Sequence, residues 1–168
     1  QLISRMNNVL KAAETLKENG ETSEKLAQLI GEIHFFRAYA YAQLVFHWGD
    51  VPLIKENLTI EEGMSLGRTP KNEVTKFVYD EYDLAANALP KSYDGIDRVT
   101  KGAALALKAR FALYMGDYPL AETAAKQVMD LGVYSLYPDY GELFQPATKN
   151  TEESIFEIPR TLENQLPS

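Results

Sequence analysis

An all-α fold of stacked antiparallel helical hairpins, tetratricopeptide-like, is what three features of this sequence predict. Apolar residues recur at three- and four-residue steps in five stretches separated by Gly, Pro, Asn and Asp. The stretch opening at Gly31 and running to Ile54 carries only Glu32 and Arg37 as full charges before Gly49, and is apolar on more than one side. A helix of that kind belongs inside a protein with neighbours on several faces. Finally, Trp48-Gly49-Asp50-Val51-Pro52-Leu53 is echoed by Met115-Gly116-Asp117-Tyr118-Pro119-Leu120. The two copies lie nearly two ~34-residue tetratricopeptide periods apart.

The elements follow in order. A first helix covers about residues 2–18, with Ile3, Met6, Val9 or Leu10, Ala13 and Leu16 on one face, and Asn19-Gly20 ends it. Thr22 or Ser23 caps the central helix, about residues 23–47, and Glu24 suits its first turn. One apolar stripe of that helix is Leu26, Leu29, Ile33, Phe36, Ala40 and Leu44; a second is Phe35, Tyr39, Ala42, Val45 and Phe46. Ala38, Ala40 and Ala42 let adjacent helices come close. Gly49 supplies a left-handed turn and Pro52 blocks continuation. Residues 55–68 read as a polar connector. Thr69 as cap and Pro70 at the first position open a third helix, about residues 70–89, burying Val74, Phe77 or Val78, Tyr82, Ala85 and Leu89. Thr100 caps a fourth, about residues 101–115, with Ala104, Leu107, Phe111 and Met115 sharing a face. After Gly116-Asp117 a fifth, about residues 119–131, turns Ala121, Ala124 or Ala125, and Val128 inward. In that hairpin Gly116 makes the reversal, Tyr118 plugs the gap between helices and Ala121 permits their close crossing. Beyond Gly132 the chain is aromatic and turn-rich, with one short strand expected within residues 153–159.

Bulk properties narrow the function. At 168 residues the chain is long enough for one domain with a real core. Lys plus Arg total 17 against 24 for Asp plus Glu, a net charge of -7, which argues against a nucleic-acid partner and against docking on an anionic membrane. The absence of cysteine excludes disulfides, thiolate catalysis and thiolate metal sites. No apolar run approaches the ~20 residues a spanning helix needs. Because it begins at Gln1 without Met, the chain is expected to be a piece of a longer protein.

The chemistry-bearing residues point away from catalysis. His34 and His47 share one helix about 20 Å apart at ~1.5 Å per residue, too far to share a metal or a proton, and no spacing supplies either with a partner. Glu61-Glu62, Asp80-Glu81, Asp83 and Glu152-Glu153 read as a solvated acidic surface rather than the opposed pair of a glycosidase. Glu32 and Arg37, lodged in an apolar run, each require a polar partner once folded. Tyr93, Tyr134, Tyr137 and Tyr140 lie in turns where an aromatic face can stack on a sugar, with packing the better account of most of them. Trp48 reads as a core plug. No catalytic, cofactor or metal residue is predicted.

Three blocks in sequence order carry a more specific message. Glu32-Ile33-His34-Phe35-Phe36-Arg37-Ala38, running on to Gly49-Asp50-Val51-Pro52-Leu53-Ile54, resembles the E-A-R-F-L-R-A…G-D-V-P-L-I block of the SusD/RagB family. Arg68-Thr69-Pro70, Glu73-Val74, Val78, Ala85 and Leu89-Pro90 resemble its R-T-P-x-x-E-V…L-P helix, although Glu81-Tyr82 stands where Asp-Leu is usual. Gly102-Ala103-Ala104, Leu107, Ala109-Arg110, Leu113, Gly116-Asp117-Tyr118 and Ala121 are similar to its repeat helices, followed by Tyr134, Leu143-Phe144 and Glu153-Ser154-Ile155-Phe156-Glu157-Ile158. The resemblance implies a non-catalytic outer-surface lipoprotein that captures glycans, or sometimes peptides, and hands them to a TonB-dependent outer-membrane transporter. It implies a single helical-repeat domain over residues 1–168, acting as scaffold and transporter-facing part, with ligand bound mainly by segments outside this chain. The structural family motif maps onto Glu32, Arg37, Gly49, Pro52, Gly116, Asp117, Tyr118 and Ala121. The family's anchor cysteine has no counterpart here. Rival readings are a tetratricopeptide protein-interaction scaffold and an α-helical carbohydrate-active enzyme.

Overall fold

The computed structural model describes residues 2–93, 98–148 and 150–157. Among these the chain forms six α-helices: α1 (Leu2–Glu18), α2 (Glu24–Trp48), α3 (Ile60–Ser65), α4 (Lys71–Ala88), α5 (Lys101–Met115) and α6 (Tyr118–Asp130). Helix α2 packs on α1, α4 and α5, α4 packs on α5, and α5 packs on α6, so the elements stack in chain order around α2. Short links at the α1–α2 and α5–α6 turns fold each pair back as a hairpin.

Helix ends follow the local chemistry. The Ser23 hydroxyl accepts from the Leu26 N–H, and Thr100 does the same for Ala103. Gly49 (φ 69°) and Gly116 (φ 82°) sit in the positive-φ region that a Cβ disfavours, ending α2 and α5. The third helix starts differently from expectation. Thr69 is not its cap; its N–H donates to the Val51 carbonyl at 3.0 Å, while Pro70 holds the cap position without a side-chain hydrogen bond. The carboxylate of Asp50 reaches across instead and accepts the Lys71 N–H at 2.7 Å. The polar connector is also not wholly irregular, because Thr59 and Glu62 form a reciprocal capping box that starts α3. This short helix makes no packing contact with any other. Toward the C-terminus residues 153–157 form turns, not the expected strand; Ile158 and Pro159 lie outside the described residues.

The core lies between α2, α4 and α5. Tyr41, Tyr82, Phe35, Val45, Val74 and Val78 are its largest fully buried side chains. Phe35 meets Tyr82 edge-on at 6.1 Å, and Tyr41 meets Phe77 at 5.3 Å. Only part of each expected α2 stripe is buried. Phe35, Ala38, Ala42 and Val45 face inward, whereas Leu29, Phe36, Tyr39 and Phe46 are exposed. The reason is that α2 contacts the other long helices along one flank and leaves the opposite flank without a neighbour. Val9 and Leu16 of α1 are exposed for the same reason, leaving Met6 and Ala13 as the buried apolar residues there. In α6, Ala121, Ala124 and Val128 are the inward residues.

Close approach is set by Gly31, where a Cβ would lie 2.9 Å from the Ala88 Cβ and 3.1 Å from Leu89 Cγ. Gly31→Ala must push α2 off the end of α4, and overpacking of about 1–3 kcal/mol exceeds the ~1 kcal/mol helix-propensity gain. The expected net loss is about 1 kcal/mol in urea unfolding, whereas Gly63→Ala in α3, with nothing within 4 Å, leaves stability unchanged or raised.

Candidate functional site

The principal polar cluster is built on α2. Arg37 donates from Nε to Glu81 Oε2 at 2.7 Å and from Nη2 to Oε1 at 2.7 Å, a fork-on-fork pair with both side chains buried. Its Nη1 donates to Asn7 Oδ1 at 3.0 Å and to the Lys55 carbonyl at 3.3 Å. Buried Asn7 in turn donates to the carbonyls of Ile54 at 3.1 Å and Glu56 at 3.3 Å. One guanidinium therefore joins α1, the return segment after α2, α2 itself and α4. The Tyr41 hydroxyl fastens the same segment, accepting the Ile54 N–H at 2.7 Å. Beneath the cluster the Phe77 ring lies 5.3 Å from the Arg37 guanidinium and 5.5 Å from the Lys55 ammonium.

His34, one turn before Arg37, places Nδ1 3.0 Å from Glu81 Oε2. With a carboxylate as acceptor, Nδ1 carries the proton and Nε2 is left as an acceptor. Burial pulls the Glu81 carboxyl upward, but hydrogen bonds and charge from His34 and Arg37 outweigh it and hold the group below the usual carboxylate range. Glu81 thus stays ionised and fully engaged, a structural carboxylate rather than a proton donor. This overturns the solvated-surface expectation for Glu81, and for Asp83, whose carboxylate grips the buried Lys108 ammonium at 2.6 and 2.7 Å. The partner of His34 comes from another helix, so no local spacing reveals it.

The other singled-out residues fall into place around this cluster. Glu32 accepts from Arg98 Nε at 2.8 Å, and Arg98 lies 4.3 Å over the Tyr93 ring. Pro52 is exposed and leads the chain away from Gly49. Asp117 caps α6 by accepting the Leu120 N–H at 3.3 Å, and Ala121 is buried at the crossing. Tyr118 does not plug that crossing: it is 66% exposed, because as the first residue of α6 it projects outward. Among the sugar-stacking candidates, Tyr134 packs over Gly102 with its hydroxyl 3.1 Å from Thr100, and Tyr93 is covered by Arg98. Tyr137 is half-buried, its N–H held by Glu153 at 2.7 Å, while Ser135 donates to Glu152 at 2.7 Å. Those two carboxylates fasten the C-terminal segment instead of forming free surface. Tyr140 alone of the four is broadly open, edge-on to exposed Phe144 at 5.2 Å.

Trp48 is not a core plug either. It is 73% exposed and continues an open aromatic flank of Phe36, Tyr39 and Phe46 on α2, met by Tyr114 of α5 at 5.4 Å from Phe46. His47 lies on this flank, its ring 5.0 Å from Phe46. No group of three or more His, Asp or Glu is gathered for a metal among the described residues. No described helix is long and apolar enough to cross a membrane.

Because it leaves Arg37 buried and unpaired, Glu81→Gln is expected to cost about 3–5 kcal/mol in urea unfolding at neutral pH. Replacing both partners, Arg37→Met with Glu81→Met, costs less than either single change. The folded-state pKa of Glu81 is depressed, so its contribution is full above the ordinary value of 4.5 and is lost as pH falls through the lower folded value. The gap between wild type and Glu81→Gln therefore narrows in acid, and unfolding curves across that range check it.

Comparison with known proteins places this geometry in a lineage. A SusD-like family model described as "Starch-binding associating with outer membrane" matches residues 1–113. SusD-like protein P25 of Formosa agariphila is 26% identical over 139 residues, covering 82% of this chain and 26% of the relative. The crystal structure of a SusD-like protein from Bacteroides fragilis superposes with a TM-score of 0.76 at 32% identity, covering 83% of this chain and 28% of that one. A structure named laminarin binding SusD-like protein gives 0.78 at 26% identity over 92% of this chain and 34% of its own. The chain thus spans about a quarter to a third of the length of these relatives. With its arginine-centred α2, its two Gly-Asp-x-Pro-Leu turns and its helical stack, the chain belongs to the SusD-like family.

Proposed function

We propose that this chain is one domain, residues 1–168, of a cell-surface glycan-capture protein. In this reading it is the non-catalytic scaffold and the part that faces a TonB-dependent outer-membrane transporter. The open aromatic flank of α2 and α5 carries the reading. Phe36, Tyr39, Phe46, Trp48, Leu113 and Tyr114 are all exposed on helices whose opposite sides are well packed. A contiguous apolar face of that kind marks an interaction surface. Relatives three to four times longer supply both the additional chain and a precedent for glycan recognition, one of them being named for laminarin. The family description places such proteins with the outer membrane; lipid anchorage on the extracellular face completes the proposal.

Capture here is recognition without bond cleavage. The carboxylates that carry burial or hydrogen bonds, Glu81, Asp83, Glu152 and Glu153, are committed to holding the fold. Ligand is held by shape and stacking and released inward when the transporter opens.

Affinity electrophoresis of the protein in gels containing laminarin or starch, paired with a reducing-end assay, tests the assignment. Retardation without release of reducing ends is expected. Hydrolysis abolished by changing one Asp or Glu assigns an enzyme instead, and binding confined to peptides assigns a protein-interaction scaffold. Phe46→Asp with Tyr114→Asp, on the open flank, is expected to abolish co-purification with the transporter while leaving the helical content of the chain unchanged.

A further inference from the structure

We infer that the cleft between α1 and α2 is a subsite for an acidic sugar, a uronate whose carboxylate meets Lys11, Lys17 and Lys55 and whose hydroxyl donates to His34 Nε2. The cleft has a volume of about 560 Å³, ample for one or two sugar rings, and its walls come from α1, α2 and the return segment at residues 55–57. On α1, Lys11, Glu14 and Lys17 follow one another at three-residue steps and so share the face that lines it.

Charge gives the ligand its sign. Lys11 and Lys17 have no ion-pair partner among the described residues, and the Lys55 ammonium rests on the Phe77 ring rather than on a carboxylate. Against these three cations stand Glu14 and Glu56. Arg37, at the floor, is already neutralised by Glu81 and adds no free charge. The cleft is therefore net positive by one on a chain of net charge -7, an inversion that favours one carboxylate and not a polyanion.

His34 gives the ligand its hydroxyl. Glu81 fixes the ring through Nδ1, and the opposite nitrogen has no partner among the described residues. An imidazole oriented by a buried carboxylate is preorganised to accept a hydrogen bond, so little side-chain freedom is lost when a sugar hydroxyl arrives. Leu10, Ala13 and Ile30 supply the apolar wall against which a ring's C–H face rests. The inference rests on the glycan-capture reading and adds a ligand class and a place within this chain.

The chain has 2 histidines, so side-chain NMR reports His34 with His47, on the far end of α2, as internal control. Titration with D-glucuronate is expected to move the His34 ring signals and leave His47 still, while D-glucose moves neither. Lys11→Glu with Lys17→Glu, both at the surface of α1, is expected to weaken glucuronate binding about tenfold, and 1 M salt, with a screening length of about 3 Å, to do likewise. Equal movement by glucose, movement of both histidines together, no movement with glucuronate, or an unaltered response in the double variant each overturns the proposal. A response to a glutamate-rich peptide without one to glucuronate also overturns it and assigns the cleft to a protein arm. Retention in laminarin gels alongside a silent glucuronate titration removes this subsite alone. Loss of gel retention with a positive titration removes the broader reading alone.

Discussion

Burying a guanidinium is affordable only when every donor finds an acceptor, and that requirement organises the first half of this chain. Arg37 is surrounded by apolar side chains, so its charge needs Glu81, and its remaining donors need Asn7 and the Lys55 carbonyl. Satisfying it brings four separate pieces of chain to one point. The hydrophobic contacts of Phe35, Tyr82, Val74 and Val78 tolerate small shifts in helix register. The bidentate pair does not, because its two bonds hold only in one relative placement of α2 and α4. Nonspecific burial supplies most of the driving force, and this pair selects the arrangement.

A second pair, Lys108 with Asp83, repeats the device between α5 and α4 with one partner at the rim. The pairing is shallower, since Asp83 keeps about half its side chain in water. Order therefore decreases outward from α2: a dry network at the α1–α2–α4 junction, then a half-wet pair, then the α5–α6 hairpin held by alanine contacts and a capping aspartate.

Much of this was legible in the sequence, and the reasons for the remainder are physical. The five long helices announced themselves through periodicity and caps, and Glu32 and Arg37 declared a need for partners by sitting in an apolar run. Their identity was hidden, because Glu81 and Arg98 lie far along the chain and composition carries no pairing information. The same blindness turned Glu81 and Asp83 into apparent surface acids. Which flank of α2 is buried was likewise undecidable: Phe36, Tyr39, Phe46 and Trp48 are as apolar as the residues that face the core, and only the helices' placement separates them. Helix α3 was missed although its Thr59–Glu62 signature was present, since one and a half turns show no periodicity. Tyr118 was assigned to the interior from the repeat pattern, but its position at the start of α6 turns it outward.

The two aspartates of the duplicated turn now serve different ends. Asp117 caps the helix that follows it directly, whereas Asp50 reaches past an intervening segment to receive the Lys71 N–H, beside the Val51–Thr69 bridge. Together these contacts clasp the base of residues 52–68 like the neck of a purse. What hangs beyond the neck, α3 included, is decoupled from the helical stack. Lengthening it costs only about 0.6 kcal/mol per doubling in closure entropy. This is the place where evolution, or an engineer, can splice new recognition elements into the scaffold without retuning it.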